Sequence, residues 1–573
     1  MKSLLRFLSN YKKETVLAPL FKLLEACFEL IVPLVVASMI DVGIAQNDKG
    51  QILRQCLILV AFGIVGMISA ITAQYFAAKA AVGFAYELRH SLYEKINSFT
   101  YTLIYKTGVS TLLTRLTGDV DRLQNGVNLI LRLFLRSPFI VFGAIAMACY
   151  VDAGSSLVFI ATVALLSIVV FSIMQVTIKR YKEVQARLDG ILCRTKENLD
   201  GARVIRAFCS EEAQTELFIA DNKALSRLQR ATGKISALSN PLTFLLINAG
   251  ILVLIKYGNF QLQGGRLTQG ELIALYNYMS QILVELVKLA NLLVTVTRAL
   301  ASADRVAAIL KTEVKTELLP KEGCDLQTAV KFDAVTKIYN EGAEPAVKDI
   351  SFTAKQGELI GIIGGTGSGK TTLVNLIAGF YRAEEGRVSL YGSDVKSYTP
   401  QELREKIAVV MQRAVLFAGT LRENLCWGKP DATPQEMEEA LKAARAYDFV
   451  AEKGGLDMPI SQEGRNLSGG QRQRLTIARA LVAASPILIL DDAASALDYM
   501  TEKALRRAIA ELEHKPTVFI VSQRTSSIMH ADKIIVLDEG RQVGLGTHSE
   551  LLENCPVYRE IYESQFGAGE VRA

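Results

Sequence analysis

Several features that would place a chain of 573 residues in a secreted or nucleic-acid-binding class are missing. The eight cysteines, at positions 27, 56, 149, 193, 209, 324, 426 and 555, are scattered and include no Cys-x-x-Cys pair. This spacing argues against a disulfide framework and predicts reduced, mostly buried thiols. The formal net charge of +6 is small for this length and gives no reason to expect a nucleic-acid partner. The opening residues, MKSLLRFLSNYKKE, turn polar too early for a signal-peptide core.

Apolar residues, by contrast, are abundant: the hydrophobic fraction is 50% and the mean hydropathy is +0.25, which is high for a soluble protein. About 20 helical residues cross the ~30 Å hydrocarbon core of a bilayer. Six apolar runs reach that length, and all lie before about residue 300: 15–40, 53–83, 128–150, 153–178, 239–262 and 270–297. The sequence therefore predicts an α-helical transmembrane domain of six helices over residues 1–310.

The connections between these runs alternate between short and long. Those at 41–52, 151–154 and 263–269 are short, whereas those at 84–127 and 179–238 are long and rich in helix-forming, charged residues. Lys and Arg concentrate in the long 179–238 connection, and cytoplasmic connections carry such an excess. We expect a multi-pass protein of the plasma (inner) membrane, with the long connections, both termini and the C-terminal half in the cytoplasm.

Charged residues interrupt the first and sixth apolar runs. Lys22, Glu25 and Glu29 follow a spacing of i, i+3 and i+7 and share a helix face, and Glu285 and Lys288 do likewise. Charges inside a membrane are costly and mark functional positions by default. Two interpretations stay open: these side chains line a water-filled substrate cavity, or they pair structurally.

Beyond residue 300 the sequence pattern changes to short β-rich runs separated by helical patterns. The runs are VKFDAVTKIY, ELIGIIGG, KIAVVMQ, ILILDD, TVFIVSQ and KIIVLDEG. Such alternation is typical of an α/β domain with a mainly parallel sheet, here predicted for residues 328–573. The polar stretch at 311–327, which contains Pro and Gly, is predicted to be the linker.

A phosphate-binding loop, G-x-x-x-x-G-K-T, lies between an apolar strand and an apolar helix. Its glycines let backbone N–H groups surround a phosphate, Lys370 reaches the β and γ oxygens, and Thr371 offers a hydroxyl to Mg²⁺. Asp491, at the end of ILILDD, fits as the Mg²⁺ carboxylate, although an acid at a strand end can also be a simple turn residue. The sequence thus predicts ATP and Mg²⁺ as ligands, with contacts from Gly364, Gly365, Thr366, Gly367, Ser368, Gly369, Lys370, Thr371 and Thr372.

The segment LSGGQRQR, which begins at Leu467, resembles the signature of the ATP-binding cassette (ABC) transporters, and six membrane helices before one cassette resemble an exporter half. In that family two cassettes close head to tail, and the signature of one completes the ATP site of the other. The resemblance implies nucleotide contacts from Tyr339, Gln412, Leu467, Ser468, Gly469, Gly470, Gln471 and Asp498, with Gln412 also a Mg²⁺ ligand. Residues 110–124 and 197–212 resemble the intracellular connections that carry short transverse helices against the cassettes.

Two positions depart from the family pattern. Asp492 stands where a Glu usually orients the attacking water, and Gln523 stands where a His usually contacts the γ-phosphate. A carboxylate displaced by ~1 Å can lose on the order of 10²-fold in rate, and Gln cannot carry a proton. The resemblance then implies a slow, degenerate catalytic site, and the intact signature favours a heterodimer with a second half-transporter chain.

The alternatives are a homodimeric exporter and an ATP-clamped membrane sensor that does not transport. An importer is disfavoured, because importers usually carry the membrane and cassette parts on separate chains, and the first 300 residues exclude a soluble NTPase. The expected partners besides the second chain are membrane lipid and a small amphipathic or hydrophobic substrate, whose identity the sequence does not specify.

Overall fold

The structure is a computed structural model that describes residues 4–313, 319–321, 323, 325–339 and 342–566. Its residues form two compact units, one within Met1–Phe99 and Thr107–Glu313 and the other within Thr100–Lys106 and Val314–Ala573. Positions 314–318, 322 and 324 of the predicted linker lie outside the described residues, as does Cys324.

The first unit is helical throughout. After a 3-10 helical segment at Leu5–Tyr11, its helices are α1 (Lys12–Ser38, continued by a π-helical turn at Met39–Ile44), α2 (Lys49–Asn97), α3 (Tyr101–Thr107, whose residues to Lys106 cluster with the second unit), α4 (Val109–Thr114, continued by a π-helical turn at Arg115–Asp119), α5 (Val120–Leu133), α6 (Arg136–Val151), α7 (Ala153–Asp200), α8 (Ala202–Ala207), α9 (Glu211–Ala237), α10 (Ser239–Gln263) and α11 (Gln269–Lys311).

Six helices of the described chain are long and apolar enough to cross a membrane. They span Leu5–Ile44, Lys49–Asn97, Val109–Val151, Ala153–Asp200, Glu211–Gln263 and Gln269–Lys311, and each contains one of the six predicted runs. The prediction of six membrane helices is confirmed. The helices exceed the length that a bilayer needs because the charged, helix-forming sequences of the long connections continue them.

The membrane helices pack through small and apolar side chains. Tyr278 and Met279 of α11 and Phe159 of α7 are fully buried in one cluster with residues of α1, α6 and α10. Along α2, buried alanines such as Ala77 and Ala80 let neighbouring helices approach closely.

Two expectations for this unit need correction. Of the seven described cysteines, Cys56, Cys149, Cys193 and Cys209 are exposed in the isolated chain, so the thiols are free but not mostly buried. A short helix, α8, lies within residues 197–212, whereas residues 110–124 belong to the continuous helical run Val109–Val151, and the short helix α3 comes before that run.

The second unit is an α/β domain. Its strands are β1 (Thr328–Lys337), β2 (Val347–Lys355), β3 (Leu359–Gly364), β4 (Glu385–Leu390), β5 (Ser393–Asp394), β6 (Ile407–Val410), β7 (Gly419–Thr420), β8 (Pro459–Ile460), β9 (Ile487–Asp491), β10 (Thr517–Val521), β11 (Lys533–Asp538) and β12 (Arg541–Gly546). Its helices are α12 (Lys370–Ile377), α13 (Pro400–Lys406), α14 (Leu421–Cys426), α15 (Pro434–Ala443), α16 (Tyr447–Glu452), α17 (Gly469–Val482), α18 (Tyr499–Ala510), α19 (Thr525–Ile528), α20 (His548–Asn554) and α21 (Pro556–Phe566).

The main sheet has the order β12-β11-β3-β10-β9-β6, and all its strand pairs are parallel except β11 with β12. Strands β9 and β10 are buried along their whole length, as expected for parallel strands covered on both faces. All six predicted β-rich runs are strands, and the α/β fold class is confirmed. A separate antiparallel sheet, β2-β1-β4-β5, was not predicted.

Residues 434–450 form two helices separated by a turn. Helix α15 ends at Ala443 and α16 begins at Tyr447, and Arg445 between them has a φ of +55°. A left-handed residue interrupts the helical hydrogen-bond ladder, so the chain turns there.

Candidate functional site

A cavity of about 250 Å³ lies where β3, β9 and β10 end. Because these strands are parallel neighbours in the sheet, their carboxyl ends meet at one edge, where α/β folds bind ligands. The cavity is lined by Ala346, Thr366, Gly367, Gly369, Lys370, Thr371, Thr372, Gln412, Asp491, Asp492, Val521, Ser522 and Gln523. Six of the predicted phosphate-loop residues and both departures from the family pattern therefore share one site.

The loop between β3 and α12 shapes one wall. Gly369 caps α12 with a φ of +95°, and a Cβ there would lie 2.6 Å from the carbonyl oxygen of Ala346. Only glycine fits such a position without a shift of the backbone. The first N–H groups of α12 are consequently open toward the cavity, as in other anion-binding helix termini.

Lys370 lies within this loop. Its Nζ donates to the carbonyl oxygens of Gly364, at 2.8 Å, and Gly365, at 2.6 Å. Burial lowers the pKa of Lys370, and the nearby carboxylates of Asp492 and Asp491 act in the opposite direction. The ammonium is thus fixed beside both acids, at the position where phosphate oxygens are expected.

Asp491 is the last residue of β9 and is 6% exposed. Thr371 Oγ1 donates to its Oδ1 at 3.4 Å. Burial raises the pKa of Asp491, and the neighbouring Asp492 adds to that rise. A divalent cation would offset this unfavourable burial of charge.

The donor set fits Mg²⁺. The cavity brings together a carboxylate, a hydroxyl and an amide from Asp491, Thr371 and Gln412. The described residues contain no group of three or more His, Cys, Asp or Glu that could hold a metal. Mg²⁺ does not require one, because it is commonly held by one or two carboxylates together with substrate phosphates and water.

Asp492 begins the turn that leaves β9, and its φ is +48°. Its Oδ2 accepts a hydrogen bond of 3.3 Å from Gln412 Nε2, and its backbone N–H donates to the carbonyl of Val521 in β10. The carboxylate is therefore oriented by a neighbour that itself lines the cavity.

Gln523 follows β10, and its backbone carbonyl is bound by a side chain of α21. Gln565 of α21 donates from Nε2 to the carbonyl of Gln523 at 2.7 Å. Its Oε1 accepts from the backbone N–H and the hydroxyl of Thr525, at 2.8 and 2.9 Å. We call these three contacts the Gln565 clamp. No sequence pattern indicates this clamp, because Gln565 lies 42 residues from Gln523 and outside any motif.

Tyr339 does not line the cavity but lies close to it, since its hydroxyl donates to Thr372 Oγ1 at 3.1 Å. Its ring packs edge-to-face against Tyr381, with 5.0 Å between centroids, and 39% of the residue is exposed. A half-exposed ring beside the phosphate loop can stack on a base. Tyr381, which sequence reasoning missed, sets the orientation of that ring.

The LSGGQ segment and Asp498 lie apart from the cavity lining. Ser468 caps α17 by accepting from the N–H of Gln471 at 3.3 Å, and Gln471 accepts in return from the N–H of Ser468 at 3.1 Å. Leu467 is buried, whereas Ser468 and Gly469 are exposed. Asp498 caps α18 through the N–H of Thr501 at 2.9 Å. The start of α17 at Ser468 is thus exposed and is not part of the cavity lining.

Comparison with known proteins agrees with this arrangement. The profile of the ABC transporter transmembrane region matches residues 15–286, and that of the ABC transporter family matches residues 347–495. This chain belongs to the ABC transporters. An ABC transporter of this layout is an integral membrane protein with an ATP-binding domain, and the family is one of ATPases.

Relatives of this ABC transporter chain match it from end to end. The uncharacterized ABC transporter ATP-binding protein YfiB of Bacillus subtilis is 33% identical, over 99% of each chain. The putative multidrug export ATP-binding/permease protein YgaD of the same species is 30% identical, over 99% of each chain. The ATP-dependent lipid A-core flippase of Desulfotalea psychrophila is 31% identical, over 84% of each chain.

A solved structure shares the fold. The structure of a bacterial Atm1-family ABC exporter with ATP bound superposes with a TM-score of 0.82, covering 98% of this chain and 99% of that one at 22% identity. At this identity the likeness establishes the exporter fold alone. The roles assigned above to individual site residues stay predictions.

Proposed function

We propose that this chain is one half of an ATP-driven exporter of an amphipathic or hydrophobic substrate, and that it carries the slowly hydrolysing ATP site of a heterodimer. The observation that carries the proposal is the presence of Asp492 and Gln523 in the same cavity as Lys370, Thr371 and Asp491. The two residues occupy the positions at which hydrolytic water would be organised.

ATP binding is supported by the loop and the residues around it. Lys370 and the N–H groups that begin α12 would hold the phosphates, and Tyr339 would stack on the adenine. Thr371, Gln412 and Asp491 would hold Mg²⁺, which supplies charge neutralisation at the phosphates. These residues are suited to binding, and none of them replaces the missing Glu and His.

Slow hydrolysis follows from the chemistry of the two departures. The Asp492 side chain is one methylene shorter than Glu, and its Oδ2 is engaged by Gln412 Nε2 at 3.3 Å. Gln523 can donate a hydrogen bond but cannot act as a cation or a proton carrier. A misplacement near 1 Å of a water-orienting group costs on the order of 10²-fold in rate.

The heterodimer is supported by the combination of two altered catalytic positions, Asp492 and Gln523, with an unaltered LSGGQ signature. Ser468 and Gly469 are exposed at the start of α17, as residues that contact another chain's nucleotide would be. A self-paired dimer would have two slow sites. A second chain with its own Glu and His would give one fast site, which this chain's signature completes.

The substrate class is supported by the printed functions of two relatives, a lipid A-core flippase and a putative multidrug exporter. Both imply apolar or amphipathic cargo. The distribution of Lys and Arg supports a cassette and termini in the cytoplasm and a location in the plasma (inner) membrane. We also propose the domain division 1–310, 311–327 and 328–573.

The proposal is tested first by composition. The complex is purified from its native membranes in mild detergent, and its chains are identified by mass spectrometry. A second, similar-sized chain in equal amount is expected. Two copies of this chain alone would refute the heterodimer and favour the homodimeric exporter.

The catalytic part is tested by restoring the family residues with the double variant Asp492→Glu, Gln523→His. In a complex whose partner cannot hydrolyse, we expect ATP turnover to rise by on the order of 10²-fold. Asp538→Glu is the matched control, because it also lengthens an acid by one methylene, at an exposed position at the end of β11. It should leave ATP turnover unchanged. Equal turnover in the double variant and the wild type would refute a slow site caused by these two residues.

Transport by proteoliposomes separates the exporter from the ATP-clamped sensor. ATP-dependent movement of a fluorescent amphiphile across the bilayer is expected. A complex that binds ATP and its partner but moves no amphiphile would favour the sensor.

A further inference from the structure

Seven polar residues of three membrane helices form one connected cluster, here called the ionic network. It contains Lys22, Glu25 and Glu29 of α1, Arg136 and Ser137 of α6, and Glu285 and Lys288 of α11. Three cations and three carboxylates make it formally neutral. The sequence predicted the local pairs Lys22–Glu25, at 2.5 Å, and Glu285–Lys288, at 2.8 Å.

Arg136 is the centre of this network. Its two terminal nitrogens donate to different helices, one to Glu285 Oε1 at 2.7 Å and the other to both oxygens of Glu29 at 2.7 and 2.8 Å. A third carboxylate, that of Glu25, lies 3.8 Å away. Ser137 donates to the second oxygen of Glu285 at 2.7 Å. The guanidinium fork thus joins α1 to α11 through α6.

A proline holds the network in a fixed geometry. Pro33 lies inside α1 and has no N–H, so it cannot donate to the carbonyl of Glu29 four residues earlier. Gln281 of α11 supplies the missing donor at 3.3 Å, and the Tyr278 hydroxyl donates to the carbonyl of Leu30 at 2.6 Å. Side chains of α11 therefore bind the α1 carbonyls at the point where Pro33 interrupts the helical hydrogen bonds.

The network lies at one depth. Glu29 is about fifteen residues from the end of the helical segment at Ile44, Arg136 is the same number from Val151, and Glu285 is about sixteen from the start of α11 at Gln269. At 1.5 Å per residue each lies about 23 Å from the ends joined by short connections. Measured from that boundary, a depth of about 23 Å falls in the last third of a ~30 Å hydrocarbon core, on the side of the long connections.

Exposure divides the network into a closed centre and an open edge. The side chains of Arg136 and Glu285 are 6% and 4% exposed, whereas those of Glu29 and Lys288 are both 41% exposed. The buried Arg136 Nε and Gln281 Oε1 have no hydrogen-bond partner among the described residues. Glu29, which accepts from Arg136, and Lys288, which donates to Glu285, are thus the two most exposed members of the network.

Two half-exposed opposite charges at membrane depth do not tolerate hydrocarbon, so this edge faces water or a polar group. We propose that the open edge binds the head group of a zwitterionic amphiphile. Glu29 receives its ammonium, Lys288 receives its phosphate or other anionic group, and Arg136 and Glu285 hold these two residues in place. The proposal rests on the proposed export function and names the substrate class of that exporter.

Binding is measured separately from transport, so that failure of one is distinguishable from failure of the other. The purified complex in nanodiscs is titrated with three fluorescent single-chain probes of identical tail, whose heads are phosphoethanolamine, phosphate monoester and alkylammonium. The wild type is expected to bind the phosphoethanolamine probe most tightly. Binding without transport would refute the export function alone.

Two variants test the two halves of the site. Glu29→Gln should weaken the phosphoethanolamine and alkylammonium probes by roughly tenfold and leave the phosphate probe bound as well or better. Lys288→Met should weaken the phosphoethanolamine and phosphate probes and spare the alkylammonium probe. Such opposite selectivities would not arise from general destabilisation, which weakens all three probes together.

Glu216→Gln and Lys223→Met, which remove exposed charges from α9, are the matched controls and should leave all three affinities unchanged. Equal loss of all probes in both site variants, or no loss in either, overturns the proposal. Loss of the partner chain from either variant complex also overturns it, because the open edge would then be a contact between chains.

Discussion

Replacing Arg136 by methionine tests whether the ionic network stabilises the membrane unit through its centre. Methionine keeps an unbranched apolar side chain but removes the one cation that, among the described residues, contacts both Glu29 and Glu285. Breaking a buried ion pair from one side costs roughly 3–5 kcal/mol, because a buried charge is left without compensation. Glu285 keeps Lys288 and Ser137, so the lower end of that range is expected.

The assay is thermal unfolding of the purified complex in detergent. A loss of about 3 kcal/mol corresponds to a fall in Tm on the order of 5–10 °C for a unit of this size. Glu29→Gln should cost no more than about 1 kcal/mol, because Glu29 is 41% exposed and solvent screens its pair. Arg136→Lys should cost less than Arg136→Met, because the positive charge stays, but it should still lower Tm, since one ammonium cannot replace a fork that reaches two helices.

The triple variant Arg136→Met, Glu29→Gln, Glu285→Gln is the decisive control. Removing these three charges leaves no deeply buried ion without a partner, and Lys288, which loses Glu285, is 41% exposed, so most of the lost stability should return. Two results would contradict stabilisation by Arg136. One is a Tm of Arg136→Met within about 2 °C of the wild type, and the other is a triple variant that melts no higher than Arg136→Met.

Three further outcomes are expected. Gly270→Ala should lower the stability of the membrane unit by about 1–3 kcal/mol in thermal unfolding, because its Cβ would lie 2.3 Å from the carbonyl oxygen of Ala37; Gly265→Ala, in an open loop, tests strain without that contact. Gln565→Ala should increase amide exchange after β10, measured by mass spectrometry, and Gln565→Glu should restore only the contacts to N–H and hydroxyl groups. Burial lowers the pKa of His548, so the folded state disfavours its protonation, and Tm should fall as the pH drops from 7.5 to 5.5. His548→Gln should reduce this fall in Tm. A variant whose Tm falls as much as that of the wild type would contradict the assignment of the fall to His548.

Local patterns made much of this fold predictable. The six membrane helices follow from the length of apolar runs, and β3, β9 and β10 follow from short apolar runs bounded by glycine, proline or polar residues. The phosphate loop has a fixed spacing because one strand, one turn and one helix build it. The pairs Lys22–Glu25 and Glu285–Lys288 are also local, at i and i+3.

What the sequence did not reveal depends on distant contacts. Glu29 was placed on the correct helix face, but its partner Arg136 is 107 residues away. The antiparallel sheet escaped prediction because β2 and β4 are half-exposed and lack a continuous apolar run. Tyr381 and Gln565 act on the site from other elements, and no spacing rule connects them to it.

The Gln565 clamp connects α21, the last described helix, directly to the backbone at the edge of the candidate site. The last described helix, α21, grips the backbone on either side of Arg524, so displacement of that segment must either carry the helix along or break three hydrogen bonds. Ser564 is exposed on the same helix, one residue from the clamp. A fluorophore attached there would report displacement of the segment after β10 from a position outside the cavity lining.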